Sequence, residues 1–242
     1  MNIAILIPCT SNKRDYTCLK ETDLYMYFFK SFFTTYSPEH NYTIYLGLDD
    51  DDKFYQKSEI QAEIQKFISV MKNTKINIHS LDSSYKGDPA GIWTSLFKLA
   101  YNHNDYFVQC GSDIYFLDKN WIDVSIDKLK QNNNLGIVGL VDEGRLEFNK
   151  NDKLLTQSVV SKTHFDIFSF YFPKELPNWG CDNWLTDIYD KENLVYRIPH
   201  RFYNLGGAER YVIDKKYKEN YNFCMNKYKS KIKDYLININ GK

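Results

Sequence analysis

Asp113 stands just beyond an apolar run, in Tyr106-Phe-Val-Gln-Cys110-Gly-Ser-Asp113. Gly111 ahead of it has no Cβ, so the backbone there can approach a ligand closely, and Ser112 adds a hydroxyl. Two more polar clusters follow apolar runs. Thr10, Ser11 and Arg14 come after residues 2–8, and four consecutive aspartates, Asp49 to Asp52, come after residues 42–48. Hydroxyls, a cation and several acids together suit a nucleoside diphosphate with a divalent cation. Hard cations take oxygen ligands, and one or two carboxylates with diphosphate oxygens are a usual set. A further acid, Asp182, lies among aromatic residues between Trp179 and Trp184. Plainer roles exist for each: a turn cap for Asp113, a solvated acidic turn with a helix cap for residues 49–52, and a helix N-cap for Asp182.

These residues need elements that bring them together. The runs 2–8, 42–48, 76–81 and 106–110 read as strands, the last as a buried strand of a parallel sheet. Between them lie three helical stripes. Residues 24–36 place Tyr25, Phe28, Phe29, Phe32, Phe33 and Tyr36 on one face. Residues 53–71 do the same for Ile60, Ile64, Phe67, Ile68 and Met71. The third helix starts at Asp88-Pro89, an N-cap followed by proline at the first helical position, and aligns Ile92, Leu96, Leu99 and His103. Alternation of this kind predicts a mostly parallel sheet with right-handed crossovers. The C-terminal strand ends then share one edge, where open α/β sheets bind ligands, so the three polar clusters converge. The second half is less regular, with helices predicted over 121–129, 163–170 and 179–189 and strands over 136–141, around Val159-Val160, and over 194–198. From residue 214 the chain reads as a basic amphipathic helix. It suits either docking on its own core or a surface for self-association or a membrane.

The bulk composition narrows the class. A chain of 242 residues is long enough for one sizeable α/β domain. Its formal net charge of zero provides no field for nucleic acid. Aromatic residues make up 17% of the chain, enough to fill a core and also line a cleft for a flat or sugar-like ligand. Cys9, Cys18, Cys110, Cys181 and Cys224 form neither a C-x-x-C pair nor a disulfide framework, which fits a reducing, cytoplasmic compartment. Neither a signal peptide nor a membrane-spanning run is expected. The absence of G-x-G-x-x-G and of the P-loop pattern argues against dinucleotide enzymes and P-loop nucleotidases.

In the order of these features, residues 2–205 resemble a GT-A-type glycosyltransferase, closest to the family 2 nucleotide-sugar transferases. Ile7-Pro8 with Thr10, Ser11 and Arg14 resembles the opening loop that wraps the nucleoside. Leu46-Gly47-Leu48-Asp49-Asp50 resembles the second strand, whose acid contacts the base. Gly87-Asp88-Pro89 resembles the helix opening near the ribose, and Gly111-Ser112-Asp113 the D-x-D metal motif. Gly111 stands where that motif has its first aspartate, which leaves Asp113 as its carboxylate. Trp179-Gly-Cys-Asp182 resembles the segment with the catalytic base, with Cys181 in place of an acid.

The resemblance implies a Rossmann-like GT-A domain over 1–205, followed by a helical tail over 206–242. It implies inverting transfer of a sugar from a nucleotide-sugar donor, a UDP-sugar first, to a hydroxyl of a glycan or other acceptor. Asp182 would be the general base, and Asp113 with His200 the ligands of Mn2+ or Mg2+. Arg14 or Lys86 would assist at the diphosphate. Asp49 or Asp50 would accept a hydrogen bond from the base. The rival readings are a metal-dependent nucleotidyltransferase and a catalytically silent GT-A-like glycan-binding module.

Overall fold

Strand β1, Asn2–Cys9, is buried on both faces because its apolar run has no polar alternation. Ile3, Ile5 and Ile7 enter one hydrophobic core, and Ala4 and Leu6 enter the other. In this computed structural model, which describes residues 1–207 and 210–240, β1 lies inside an eight-stranded sheet of order β3-β2-β1-β4-β7-β6-β8-β5 among the described residues. Its partners β2, Asn41–Asp49, and β4, Tyr106–Gln109, both run parallel to it. Strand β3, Thr74–Leu81, continues the parallel set. The other half is mixed. Strand β7, Ser158–Ser161, is antiparallel to β4 and to β6, Ile137–Asp142, and β8, Val195–Asn204, runs parallel to β6. Strand β5, Ile114–Phe116, closes that edge antiparallel to β8.

Helices cover both faces. On one side lie α1, Lys30–Thr35, α2, Ser58–Ser69, and α4, Trp121–Lys130. On the other lie α3, Pro89–Ala100, α6, Thr163–Phe168, and α7, Cys181–Asp190, with α8, Tyr217–Tyr228, and α9, Lys231–Asn240. A short helix α5, Glu143–Phe148, follows β6 directly. Asp88 caps α3 as its sequence predicts, accepting from the Gly91 N–H at 2.7 Å, with Pro89 at the first helical position.

Several local expectations change. The stripe at 24–36 forms as a π-helix, Leu24–Phe29, followed by α1. The wider π turn rotates the residues after it. Leu24, Phe28, Phe29 and Phe32 are buried, while Phe33 is 45% exposed. In α3 it is Phe97 and Ala100 that reach the core, not Leu99, and the Phe97 ring packs on Phe107 with centroids 4.5 Å apart. Lys57, not an aspartate, occupies the N-cap position of α2. Strand β8 runs on through Pro199 to Asn204. The tail is two helices broken at residues 229–230, which lets Cys224, Met225 and Ile232 all reach the core.

The docking of that tail has a measurable consequence. Ile232 is 1% exposed, and truncating such a side chain leaves a cavity, so Ile232→Ala should cost about 2–5 kcal/mol. Urea unfolding at equilibrium measures it. A parental midpoint would mean that α9 leaves the core in solution.

Candidate active site

The parallel pairing of β1, β2 and β4 brings their C-terminal ends to one edge, and a cavity of about 970 Å³ opens there. Its lining includes Pro8, Thr10, Asp49, Lys86, Ser112, Asp113 and Asp182, so the three predicted clusters and the second acid do converge. The floor is tied by Trp93, whose Nε1 donates to the carbonyls of Leu6 at 3.1 Å and Cys110 at 3.2 Å. That one indole joins the ends of β1 and β4 to α3.

Not every expected residue faces the cavity. Asp52 fastens the loop after β1: it accepts from the Ser11 N–H at 2.6 Å, the Ser11 hydroxyl at 2.9 Å, and the Phe54 and Tyr55 N–H groups at 3.0 and 2.8 Å. Ser11 is thereby committed to the scaffold. Asp50 is exposed and does not line the cavity. Asp49 is buried, and burial raises its carboxyl above the usual carboxylate range, with a Thr10 hydrogen bond drawing it back. Lys86 lines the cavity while its ammonium reaches Asp51 at 2.5 Å.

Residues 205–207 and 210–216 form a strap beside the cavity, with Gly206, Gly207, Arg210 and Tyr211 in its lining. Arg14 lies behind it, its Nη2 donating to the Gly206 carbonyl at 2.5 Å and its Nε 3.7 Å from Asp23. Asn12 holds the strap by its side-chain amide, which donates to the Arg210 carbonyl at 2.7 Å. Asn178 holds it farther along: its amide donates to the carbonyls of Gly87 and Val212 at 3.1 and 3.2 Å. The guanidinium of Arg210 points back to Asp113. Its Nη1 donates to Ser112 Oγ at 3.2 Å, its Nη2 pairs with Asp23, and the same Nη2 lies 3.8 Å from Asp113 Oδ2. Gly206 lies so close to Asp113 that a Cβ there would collide with the carboxylate.

Asp182 sits in the first turn of α7 and is only partly exposed. The helix begins after Gly180, whose φ of +86° is a left-handed conformation that glycine takes without strain. Gly180, not Asp182, is therefore the N-cap. Burial pushes the Asp182 carboxyl up to about 7, against the pull of the Arg145 guanidinium and of the Cys181 thiol, which donates to Oδ1 at 3.8 Å. Arg145 reaches the cavity from α5 and is braced by Asp152, with Nη2 2.6 Å from Oδ2. Trp179, Tyr211, Tyr217 and Tyr221 give the cavity an aromatic side.

A divalent cation at Asp113 would have the Arg210 guanidinium for a neighbour. Cations of this kind bind carboxylate oxygen at about 2.1 Å, so one on Oδ2 would stand within about 6 Å of Arg210 Nη2, where like charges repel by several kcal/mol even at an effective dielectric near 20. His200 does not join Asp113. Because β8 extends to Asn204, that residue reaches the cavity edge, while His200 lies farther back beside the Arg201–Asp118 ion pair. Among the described residues no group of three or more His, Cys, Asp or Glu is placed to hold a metal ion. The residues around Asp113 do not fit a cation held chiefly by the protein.

Arg210, Asp23, Arg145, Gln157 and Asn178 were not singled out by their sequence. Each comes from a segment whose local string carries no motif, and only the topology brings it to the edge.

The fold is a twin-cored α/β sheet with a polar cavity at the C-terminal edge of its parallel half. No family model matches the chain, and no curated protein matches it. Among solved structures it is similar to S. aureus TarS 1-349, and to that protein in complex with UDP. Each has a TM-score of 0.59 and 12% identity over 96% of this chain and 65% of the other. A longer S. aureus TarS structure gives the same TM-score of 0.59 and 12% identity, covering 94% of this chain and 39% of that one. The chain spans less than two thirds of the length of these structures. At such identity the likeness is one of fold alone. No helix among the described residues is long and apolar enough to cross a membrane.

The raised Asp182 carboxyl makes a prediction about stability. Its folded value of about 7 exceeds the ordinary 3.8 of an exposed carboxyl, so the folded protein binds this proton more tightly than the unfolded chain. The group's contribution is then most favourable at low pH and is lost as pH rises from about 4 to about 7. Asp182→Asn has no such loss. Its stability relative to the parent should shift in its favour between pH 5 and pH 8, as read from urea midpoints. A pH-independent difference would mean that Asp182 titrates normally.

Proposed function

We propose that the protein transfers a sugar from a nucleoside-diphosphate sugar, a UDP-sugar first, to a hydroxyl of a glycan or other acceptor, with inversion at the anomeric carbon. The observation that carries this reading is Asp182. It is a carboxylate tuned to about 7, sharing one cavity with the polar edge of the parallel strands. A general base works best with its pKa near the operating pH. The TarS likeness supports the same reading, since a TarS structure of similar fold has been solved in complex with UDP.

In this mechanism the nucleoside lies against the loop after β1, with Asp49 accepting from the base N–H. Thr10 and Pro8 border it, and Lys86 stands on the same rim. Asp182 takes the proton of the acceptor hydroxyl as its oxygen attacks the anomeric carbon. The bond from that carbon to the diphosphate oxygen breaks, its electron pair leaves with the nucleoside diphosphate, and the sugar inverts. Arg145 opposes the rise in the Asp182 carboxyl, so it helps keep the base ionised near neutrality. A cavity of about 970 Å³ is at the upper end of ligand pockets, enough to place donor and acceptor together. The aromatic side formed by Trp179, Tyr217 and Tyr221 offers ring faces to the acceptor.

Two outcomes are expected. Asp182→Asn should lower transfer by roughly 10²- to 10⁴-fold while UDP binding, measured by calorimetry, stays near the parental value. Parental turnover would remove Asp182 from the chemistry. The parent's kcat/KM should rise with pH and level off above about 7, because the base must be unprotonated. A screen of nucleotide sugars and acceptors provides the assay; tight UDP binding with no turnover of any donor would favour a silent binding module instead.

A further inference from the structure

We infer that the guanidinium of Arg210, carried on the strap that leads to α8, takes the place of a divalent cation in holding the donor diphosphate. The inference rests on the nucleoside-diphosphate reading above and deepens it. Arg210 lines the cavity, and its side chain is 13% exposed. It is anchored from behind: the bonds it makes go to Ser112 Oγ and to Asp23. Its approach to Asp113, at 3.8 Å, is beyond hydrogen-bond length. Two hydrogen bonds to other groups thus orient the guanidinium, and it keeps donors of its five N–H fork for an acceptor in the cavity.

Geometry favours a phosphate as that acceptor. A planar guanidinium meets phosphate oxygens with two parallel charge-assisted bonds. Arg210 also stands beside Asp113, the position where the resemblance places a metal ligand. A cation bound there would face a fixed positive charge. A diphosphate would face the same charge as a counterion. The strap that carries Arg210 is tied to the nucleoside-side loop through Asn12 and to the turn before α7 through Asn178. The guanidinium is thus held between the nucleoside side and the Asp182 side of the cavity, where the phosphates of a bound donor must lie.

The test is calorimetric titration of UDP and of inorganic pyrophosphate into the full chain, with EDTA and then with Mn2+. The expected result is UDP binding in EDTA, changed by less than about threefold on adding Mn2+. Arg210→Ala should weaken it by roughly 10- to 100-fold, and Arg210→Lys, which keeps the charge and loses the fork, by less. Pyrophosphate should show the same dependence on residue 210. If Arg210→Ala fails to fold by circular dichroism, the parent and Arg210→Lys titrations decide. UDP binding that requires Mn2+ and ignores residue 210 would overturn the inference and leave the nucleotide-sugar reading standing. Failure of UDP and of every other nucleoside diphosphate to bind in either condition would overturn both.

Discussion

Strand β1 constrains everything around it. It is apolar at successive positions, buried on both faces, and paired along both edges to parallel neighbours. A slip of one residue would exchange the two faces, sending Ile3, Ile5 and Ile7 to the core now filled by Ala4 and Leu6. The two cores differ in side-chain volume at those positions, so the register is fixed. With the register fixed, the ends of β1, β2 and β4 fall at one edge, and the loops leaving them have no other place to go. The cavity is a consequence of that pairing. Trp93, donating to carbonyls of both Leu6 and Cys110, reinforces it at the floor.

The polar wall of the cavity is assembled from distant parts of the chain held by a few directed bonds. Asp52 draws in the loop after β1 through the Ser11 N–H and hydroxyl. Asn12 and Asn178 fix the strap at two points. Arg210 then lies among Asp23, Ser112 and Asp113, a cluster in which two acids face a guanidinium that cannot lose its charge. Opposite them Asp182 shows a different balance. The start of a helix favours a carboxylate, and so does Arg145, yet burial outweighs them and moves the group to about 7. One side of the cavity thus carries a guanidinium held between two acids, and the other a carboxyl raised by burial. Arg210 is carried on the segment between β8 and α8, and Asp182 on the first turn of α7.

Much of the scaffold was legible in the sequence because its signals are local. The apolar run at 2–8, the β-rich stretch at 42–48 and the Asp88-Pro89 helix start each state an element within a few residues. The helix of Ile60, Ile64 and Ile68 follows directly from its spacing. The convergence of Thr10, Asp49 and Asp113 was legible too, given a parallel sheet. What failed to show has non-local causes. Strand β5 is three residues long and exists because β8 pairs with it. The π turn at Leu24–Phe29 answers to the packing of Phe28, Phe29 and Phe32, which helical periodicity alone does not express. His200 was placed with the metal motif by its position in the chain, but the length of β8 carries it away from the cavity.

The sequence by itself determined the alternating α/β order, the parallel core strands and the identity of the acids at their ends, because strand hydrophobicity and helix capping act over a few neighbouring residues. Only the tertiary structure decided which of those acids face the cavity, that Asp182 is desolvated, and that Arg210 meets Asp113. Burial and charge pairing depend on distances across the fold, between residues such as Asp23, Asp113 and Arg210 that no local pattern connects.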